Sequence, residues 1–193
     1  MQYRWKGKIE KLTRFYISKL HNEKIRRNLL QAIPFWLASL ITGVIAVGYT
    51  KMFNLSETLL HYFIQWNDWI IFILAPLSFL IAWIIVQRFA PNARGSGIPQ
   101  IMAAIDLTPE KHEKGITKLL SLRIIAIKIV SSLFMVLGGG AIGREGPTIQ
   151  IAGSVFRVIH RFIPESWPRS SQKSFILTGA AAGLAAAFNT PLG

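Results

Sequence analysis

Two stretches of the chain are uncharged and largely apolar, and each is long enough to cross a membrane. Residues 29–50 carry no charged side chain in 22 positions, and residues 69–86 carry none in 18. About 20 apolar residues in a helix cross the hydrocarbon core of a bilayer. The pattern therefore predicts two membrane-spanning helices, the first ending near Thr50. Residues 51–68 are expected to form an outer loop or an interfacial helix.

After residue 90 the apolar segments become shorter, and glycine and proline interrupt them. A polar, charged loop is expected over residues 108–118. Proline is favoured in the first turn of a helix, so Pro147 is expected to begin a new one. The fold class is therefore predicted to be an all-α membrane protein with broken and re-entrant helices. Besides the two spans, helices are predicted over residues 98–107, 119–137, 147–162 and 171–188.

Short, interrupted helices in an apolar chain favour an anion pathway. Non-helical backbone is tolerated at membrane depth only where it is buried in protein or lines a cavity. The N-terminal end of a helix carries partial positive charge and free N–H groups, which attract anions. Two predicted helix starts combine these features with glycines that let the backbone approach an ion closely. Their residues are Ser96, Gly97 and Ile98 at the first start, and Glu145, Gly146, Pro147 and Thr148 at the second.

Glu145 is an acidic residue in one of the most apolar parts of the chain. Residues 129–143 before it and residues 146–156 after it carry no charge. Insertion scales put the cost of a charged side chain at the bilayer centre at about 2.5–3.5 kcal/mol, so such a residue is a functional-site hypothesis. The alternative is a structural acid paired with Arg144, although adjacent residues on a helix do not face each other.

The net charge of +13 is unevenly distributed. Residues 1–28 hold nine Lys and Arg against two Glu. Basic residues beside a first membrane span mark the cytoplasmic side and contact anionic lipid, which is favoured here over nucleic-acid binding. We therefore expect a basic, cytoplasmic, amphipathic segment at 1–28, followed by a multi-pass transmembrane domain over 29–193. The predicted partner is membrane lipid, with no nucleic acid.

Two other polar features leave alternatives open. Lys128 either faces the interior of the helix bundle or extends its ammonium group to the membrane–water interface. In the interior, Lys128 and Arg144 would add positive potential that attracts an anion. The four histidines lack metal-ligand spacing and the chain has no cysteine, so no metal site is expected.

A glycine-rich segment at residues 138–143 (GGGAIG) fits the G-x-G-x-x-G pattern of dinucleotide-binding enzymes. That pattern requires a strand before it and an acidic residue that ends a second strand. The preceding apolar stretch is too long for a strand, and Glu165 lies between Pro164 and Pro168. Neither an enzyme nor a bound cofactor is therefore predicted.

Three motifs together resemble the CLC family of chloride channels and proton/chloride antiporters. They are residues 95–99 (GSGIP), 143–150 (GREGPTIQ) and 179–192 (GAAAGLAAAFNTPL), in the family's order and spacing. The resemblance covers about residues 30–193. It implies transport of chloride across a membrane, the cell's inner membrane being the expected location.

The resemblance also implies roles for individual residues. Ser96 matches the serine whose hydroxyl coordinates the central anion. Glu145 matches the gating glutamate, which occupies an anion site when ionised, moves away when protonated, and carries the proton in coupled transporters. Residues 146–148 match the helix start beside the outer anion site. A homodimer is implied for the full-length protein, with chloride as the substrate and protons as a second transported ion.

The chain departs from the family in length, because members are about twice as long and contain two inverted halves. The sequence ends at Gly193 within a family motif. We therefore expect the N-terminal half only, with an incomplete repeat that is inactive alone. Channel and antiporter stay open as transport modes. The alternative function is a non-transporting membrane fragment that associates only with lipid or with partner helices.

Overall fold

A computed structural model describes residues 23–107, 109–164, 167–168 and 170–190. Within these residues the chain forms α-helices and two short 3-10 helices, Asp68–Ile70 and Pro91–Ala93, and no strand, which confirms the all-α fold class. The predicted amphipathic segment lies, up to residue 22, outside the described residues. The α-helices are α1 (Glu23–Trp66), α2 (Ile71–Phe89), α3 (Ile98–Asp106), α4 (Pro109–Leu119), α5 (Leu122–Leu137), α6 (Glu145–Phe162) and α7 (Gln172–Phe188).

Helix α1 is longer than the sequence predicted. The first apolar run was expected to end near Thr50, but the helix continues without interruption to Trp66. Residues 51–66 contain neither glycine nor proline, so nothing in this stretch stops the helix. The turn comes at Asn67, whose side chain accepts a hydrogen bond from the Trp69 N–H at 3.0 Å.

Among the described residues, three helical segments are long and apolar enough to cross a membrane: Arg27–Trp66, Asp68–Phe89 and Glu113–Leu137. The first two contain the predicted spans. Many of their large apolar side chains are exposed, among them Trp36, Phe72 and Trp83. In a membrane protein such faces contact lipid, so their exposure fits a chain that is embedded in a bilayer.

The loop predicted over residues 108–118 is wrong, because this segment forms helix α4. Its charged residues suggested a loop, but Ile116 of this helix and Leu120 directly after it are fully buried. Ile116 and Leu120 pack with Ile101 of α3 in one core cluster. A short helix with a polar outer face gains its stability from such tertiary packing rather than from its own composition.

Helix α6 lies at the centre of the described helices. Every residue from Pro147 to Arg157 is buried, and the helix packs against α1, α3, α5 and α7. It begins at Glu145, two residues before the predicted start at Pro147. Proline is tolerated there because the first-turn N–H groups of a helix have no partner within it.

Candidate functional site

The first of the two predicted helix starts lies where residues 94–97 lead into α3. Gly97 has a φ of +100°, a conformation that favours glycine, and α3 begins directly after it. A Cβ atom at this position would lie 2.6 Å from the Cβ of Gln150 on α6. Glycine is therefore required both by the turn and by the close approach of α3 to α6.

The second helix start lies directly against the first. A Cβ atom at Gly146 would lie 2.6 Å from the carbonyl oxygen of Ser96 and 3.0 Å from its Cβ. Residues that are 50 positions apart in the sequence are thus in van der Waals contact. Ser96 and Glu145 both line one cavity at this contact.

This cavity, which we call the inner cavity, has a volume of about 680 Å³. It is lined by the loop before α3, the start of α6, and residues of α2 and α5. Its polar lining includes Ser131 and Ser132 of α5. Six of the residues proposed from the sequence line it: Ser96, Ile98, Lys128, Glu145, Gly146 and Pro147.

The other three proposed residues lie elsewhere. Gly97 is buried behind the inner cavity, in contact with Gln150. Thr148 is also buried, and its hydroxyl donates to the Arg144 carbonyl at 2.7 Å. Arg144 lines a different cavity, so its side chain is separate from Ser96. These positions shape the site through the backbone or from its far side.

Lys128 faces the interior of the bundle, which resolves the alternative that its sequence position left open. Its residue surface is only 2% exposed. The ammonium group donates to the carbonyl of Ala93 at 2.8 Å and to that of Gly95 at 2.5 Å. A cation held beside the inner cavity adds positive potential there, and its two carbonyl partners partly offset the cost of burying the charge.

Glu145 lies between two cavities. Together with Ile142 and Gly143, it lines both the inner cavity and a second one of about 690 Å³, which we call the outer cavity. The outer cavity is more polar. Its remaining lining residues are Phe53, Asn54, Glu57, Thr58 and His61 of α1, together with Arg144. The Glu145 side chain therefore borders both spaces.

Several polar residues at the site were not assigned a role from the sequence. The hydroxyl of Tyr49 donates to Ser132 at 3.0 Å, which links α1 to the inner cavity. The Gln150 side chain is fully buried and bonded to two backbone carbonyls. A polar residue within an otherwise apolar helix is the signal that could have identified each of them, since buried polar groups require partners.

The site suits a small anion. Residues at two helix starts line the inner cavity, and the N-terminal end of a helix carries partial positive charge. Lys128 and three serines at residues 96, 131 and 132 line the same space, although the Ser131 and Ser132 hydroxyls donate to carbonyls of their own helix. Hydroxyl and dipole contacts hold an anion weakly enough for it to leave again, which conduction requires. Among the described residues, no three His, Asp or Glu side chains are grouped to hold a metal ion.

Comparison with known proteins leads to the same family as the sequence motifs. The model of the voltage gated chloride channel family matches residues 78–193, which include both helix starts and the whole inner-cavity lining. This match covers more than half of the chain. The chain belongs to the voltage-gated chloride channel family, also called the CLC family.

Individual relatives extend the similarity toward the N-terminus. The H(+)/Cl(-) exchange transporter ClcA of Citrobacter koseri is 34% identical over 193 aligned residues, which cover 91% of this chain. The ClcA of Salmonella arizonae is 32% identical over 195 residues, again 91% of this chain. The chain spans 38% of the length of each of these CLC relatives.

Proposed function

We propose that this chain forms part of a chloride pathway across a membrane. The observation that carries the proposal is the contact between Ser96 and Gly146, which brings two helix starts together at a cavity bordered by Glu145. In this proposal the Ser96 hydroxyl and the start of α3 hold a central anion. Gly146, Pro147 and Thr148 form the start of α6 beside an outer anion position.

Glu145 is the proposed gate and proton carrier. When ionised, its carboxylate competes with chloride for the start of α6. When protonated, it leaves that position free. Its place between the inner and outer cavities supports this role, because both spaces meet at its side chain.

The proposal includes two transport modes, proton/chloride exchange and a chloride channel. The two relatives named above are exchange transporters, which favours exchange. Proton movement driven by a chloride gradient distinguishes the modes in any assembly that transports. We further propose an inner-membrane location with the N-terminus in the cytoplasm, and a homodimer for the full-length protein.

Chloride binding to the purified chain in lipid nanodiscs tests the proposal directly. We expect calorimetric titration to show saturable chloride binding that Ser96→Ala weakens by about tenfold, since a hydrogen bond to a charged group contributes about 1.5–3 kcal/mol. The matched control is Ser56→Ala, because the Ser56 hydroxyl donates within α1, to the Met52 carbonyl, and Ser56 does not line the inner cavity. Chloride binding that Ser96→Ala leaves unchanged would contradict the proposed site.

The alternative is a membrane protein that associates with lipid or partner helices without binding anions. This alternative predicts no saturable heat of chloride binding in the same titration. It also predicts stable insertion into the bilayer, which the chloride-pathway proposal shares, so only the titration separates the two.

A further inference from the structure

Four consecutive backbone carbonyls immediately before Ser96 accept hydrogen bonds from side chains. Gln150 Nε2 donates to Asn92 O at 3.2 Å, Lys128 Nζ donates to Ala93 O at 2.8 Å and to Gly95 O at 2.5 Å, and Gln100 Nε2 donates to Arg94 O at 2.8 Å. We call this set of three donors and four carbonyls the carbonyl clamp. Its donors come from three different helices, α3, α5 and α6.

The carbonyl clamp holds residues 92–95, the segment that leads directly to Ser96 at the inner cavity. A carbonyl oxygen carries partial negative charge and repels a nearby anion, and a hydrogen-bond donor offsets that charge. The peptide group is planar and trans, so holding the Arg94 and Gly95 carbonyls also fixes the directions of the next two N–H groups. The clamp therefore offsets the negative charge of the carbonyls that precede Ser96, and it also fixes the orientation of the peptide groups that lead to this residue.

Gln150 is the donor that links the clamp to another helix, α4. Its side chain is 0% exposed, and the same Nε2 also donates to Leu119 O at the end of α4, at 3.2 Å. Asn92 in turn donates through Nδ2 to the Lys118 carbonyl at 3.2 Å. Gln150 thus joins the Ser96 segment to both α6 and α4.

The position of Gln150 carries a cost that a purely apolar residue would avoid. Its Oε1 has no hydrogen-bond partner in the described part of the chain. An unpaired buried acceptor costs about 1–3 kcal/mol. The glutamine at this position is therefore explained by the hydrogen bonds that its amide N–H groups donate, not by packing alone.

We propose that Gln150, together with Lys128 and Gln100, is a positioning residue that sets the anion affinity and the chloride preference of the inner cavity. It acts through the carbonyl clamp and does not touch the anion. This inference rests on the proposed chloride pathway and assigns its selectivity to residues outside the two helix starts.

The test compares Gln150→Met with Gln172→Met in the complete chain in lipid nanodiscs. Methionine has a similar length to glutamine and lacks the N–H donors. Gln172 is a matched control because it is also buried and its Nε2 has no hydrogen bond among the described residues. Chloride and nitrate are titrated into each variant by calorimetry, and hydrogen exchange is followed by mass spectrometry over residues 90–101.

We expect Gln150→Met to weaken chloride binding by about tenfold, the loss expected when a buried hydrogen bond is removed. Nitrate binding should weaken less, so the chloride-to-nitrate affinity ratio falls. Exchange at Ala93 and Arg94 should rise, since their N–H groups are bonded within the clamped turn, to Ala90 and Pro91. The Gln172→Met control should leave the affinity ratio and the exchange unchanged.

Gln100→Met provides a second variant from a half-buried position, where the substitution is better tolerated. It should lower the same ratio in the same direction. Unchanged chloride preference in both variants, with increased exchange, would overturn the proposal, because the clamp would then be structural only. Unchanged exchange in Gln150→Met would overturn it as well.

Failure of the proposed function gives a different result. If neither the unaltered chain nor any variant binds chloride, the chloride pathway is wrong, and so is the selectivity assigned to Gln150. If Ser96→Ala weakens binding and Gln150→Met does not, only the carbonyl clamp proposal fails.

Discussion

At the scale of single residues, Glu145 has the most consequential position. It is the one acidic side chain among the described residues that lines both the inner and the outer cavity. A Cβ atom at Gly143 would meet the Glu145 carboxylate, so glycine at that position leaves room for it. A carboxylate that borders both cavities can be reached from both, and the proposed gating role of Glu145 rests on this position.

The first prediction concerns Glu145→Gln in an assembly that transports, such as a chimera in which this chain replaces the matching part of the Citrobacter koseri transporter. Glutamine keeps the shape of the acid but carries no charge and no transferable proton. We expect chloride flux that no longer responds to external pH and no longer drives protons. Chloride efflux and proton uptake in liposomes measure both.

Glu57→Gln is the matched control for this prediction. Glu57 lines the outer cavity but not the inner one, so its neutralisation should leave proton coupling intact. A pH response that persists in the Glu145→Gln chimera would show that Glu145 is structural.

At the scale of helices, close contact between α6 and α7 holds the site's central helix in place. A Cβ atom at Gly183 would lie 2.7 Å from the Cβ of Ala152 and 2.9 Å from the Thr148 carbonyl. A Cβ atom at Gly179 would lie 2.8 Å from the Cβ of Phe156. Small residues at this spacing let helices approach closely in lipid.

We predict that Gly183→Ala lowers the free energy of unfolding by about 1–3 kcal/mol, the usual cost of overpacking. The physical reason is that the added methyl group meets backbone atoms of α6, which cannot rotate away. Thermal unfolding in detergent measures the effect. Gly43→Ala on α1 is the control, because nothing lies within 4 Å of its added Cβ; a loss as large there would contradict the packing explanation.

An ion pair between a buried arginine and a partly exposed glutamate joins α6 to α4, the helix that the sequence did not predict. Arg157 is fully buried, and its Nη2 donates to Glu113 at 2.6 Å and to the Thr117 hydroxyl at 2.7 Å. Its Nη1 donates to the Leu120 carbonyl at 2.8 Å. A buried guanidinium group requires partners of this kind.

We predict that Arg157→Met destabilises the chain by about 2–3 kcal/mol, less than the roughly 3–5 kcal/mol for breaking a fully buried pair, because Glu113 is 44% exposed and stays partly hydrated. Chemical unfolding in detergent measures the loss. The control is Arg161→Met, because Arg161 lies 3.8 Å from the same carboxylate but is 56% exposed. It should cost less than about 1 kcal/mol, and equal losses in both variants would contradict this account.

At the scale of the whole molecule, the described helices form the inner cavity, but the chain spans only 38% of the length of each of the two relatives named above. We predict that the purified chain alone, in liposomes, does not catalyse chloride transport at the rate of a full-length relative. Broken helices in a bilayer require protein on all sides of their exposed backbone. Chloride efflux measured beside the Citrobacter koseri transporter checks this, and equal rates would contradict it.

The membrane orientation is a second prediction at this scale. Because the chain has no cysteine, single introduced cysteines report unambiguously. The excess of Lys and Arg at residues 1–28 predicts that a cysteine at Lys8 reacts only from the cytoplasmic side. A cysteine at Glu57, near the far end of α1, should react only from the outside; labelling of Lys8 from outside would reverse the orientation.

The sequence by itself determined the family, the all-α fold class, the two long spans and the position of both helix starts. These follow from local signals: uncharged length sets a span, and glycine with proline marks where a helix stops and begins. The extension of α1 to Trp66 and the existence of α4 were not predicted. Both segments contain polar residues that resemble a loop until their packing is known.

Only the tertiary structure decided which polar side chains meet. Lys128 was equally compatible with the interior and an interface, and its burial follows from the carbonyls of Ala93 and Gly95 that surround it. Gln150 and Arg157 had no assigned role, because their partners lie at least 31 positions away in the sequence. Burial and hydrogen bonding are properties of the packed chain: a local pattern shows that a polar residue needs a partner, and only packing selects which one.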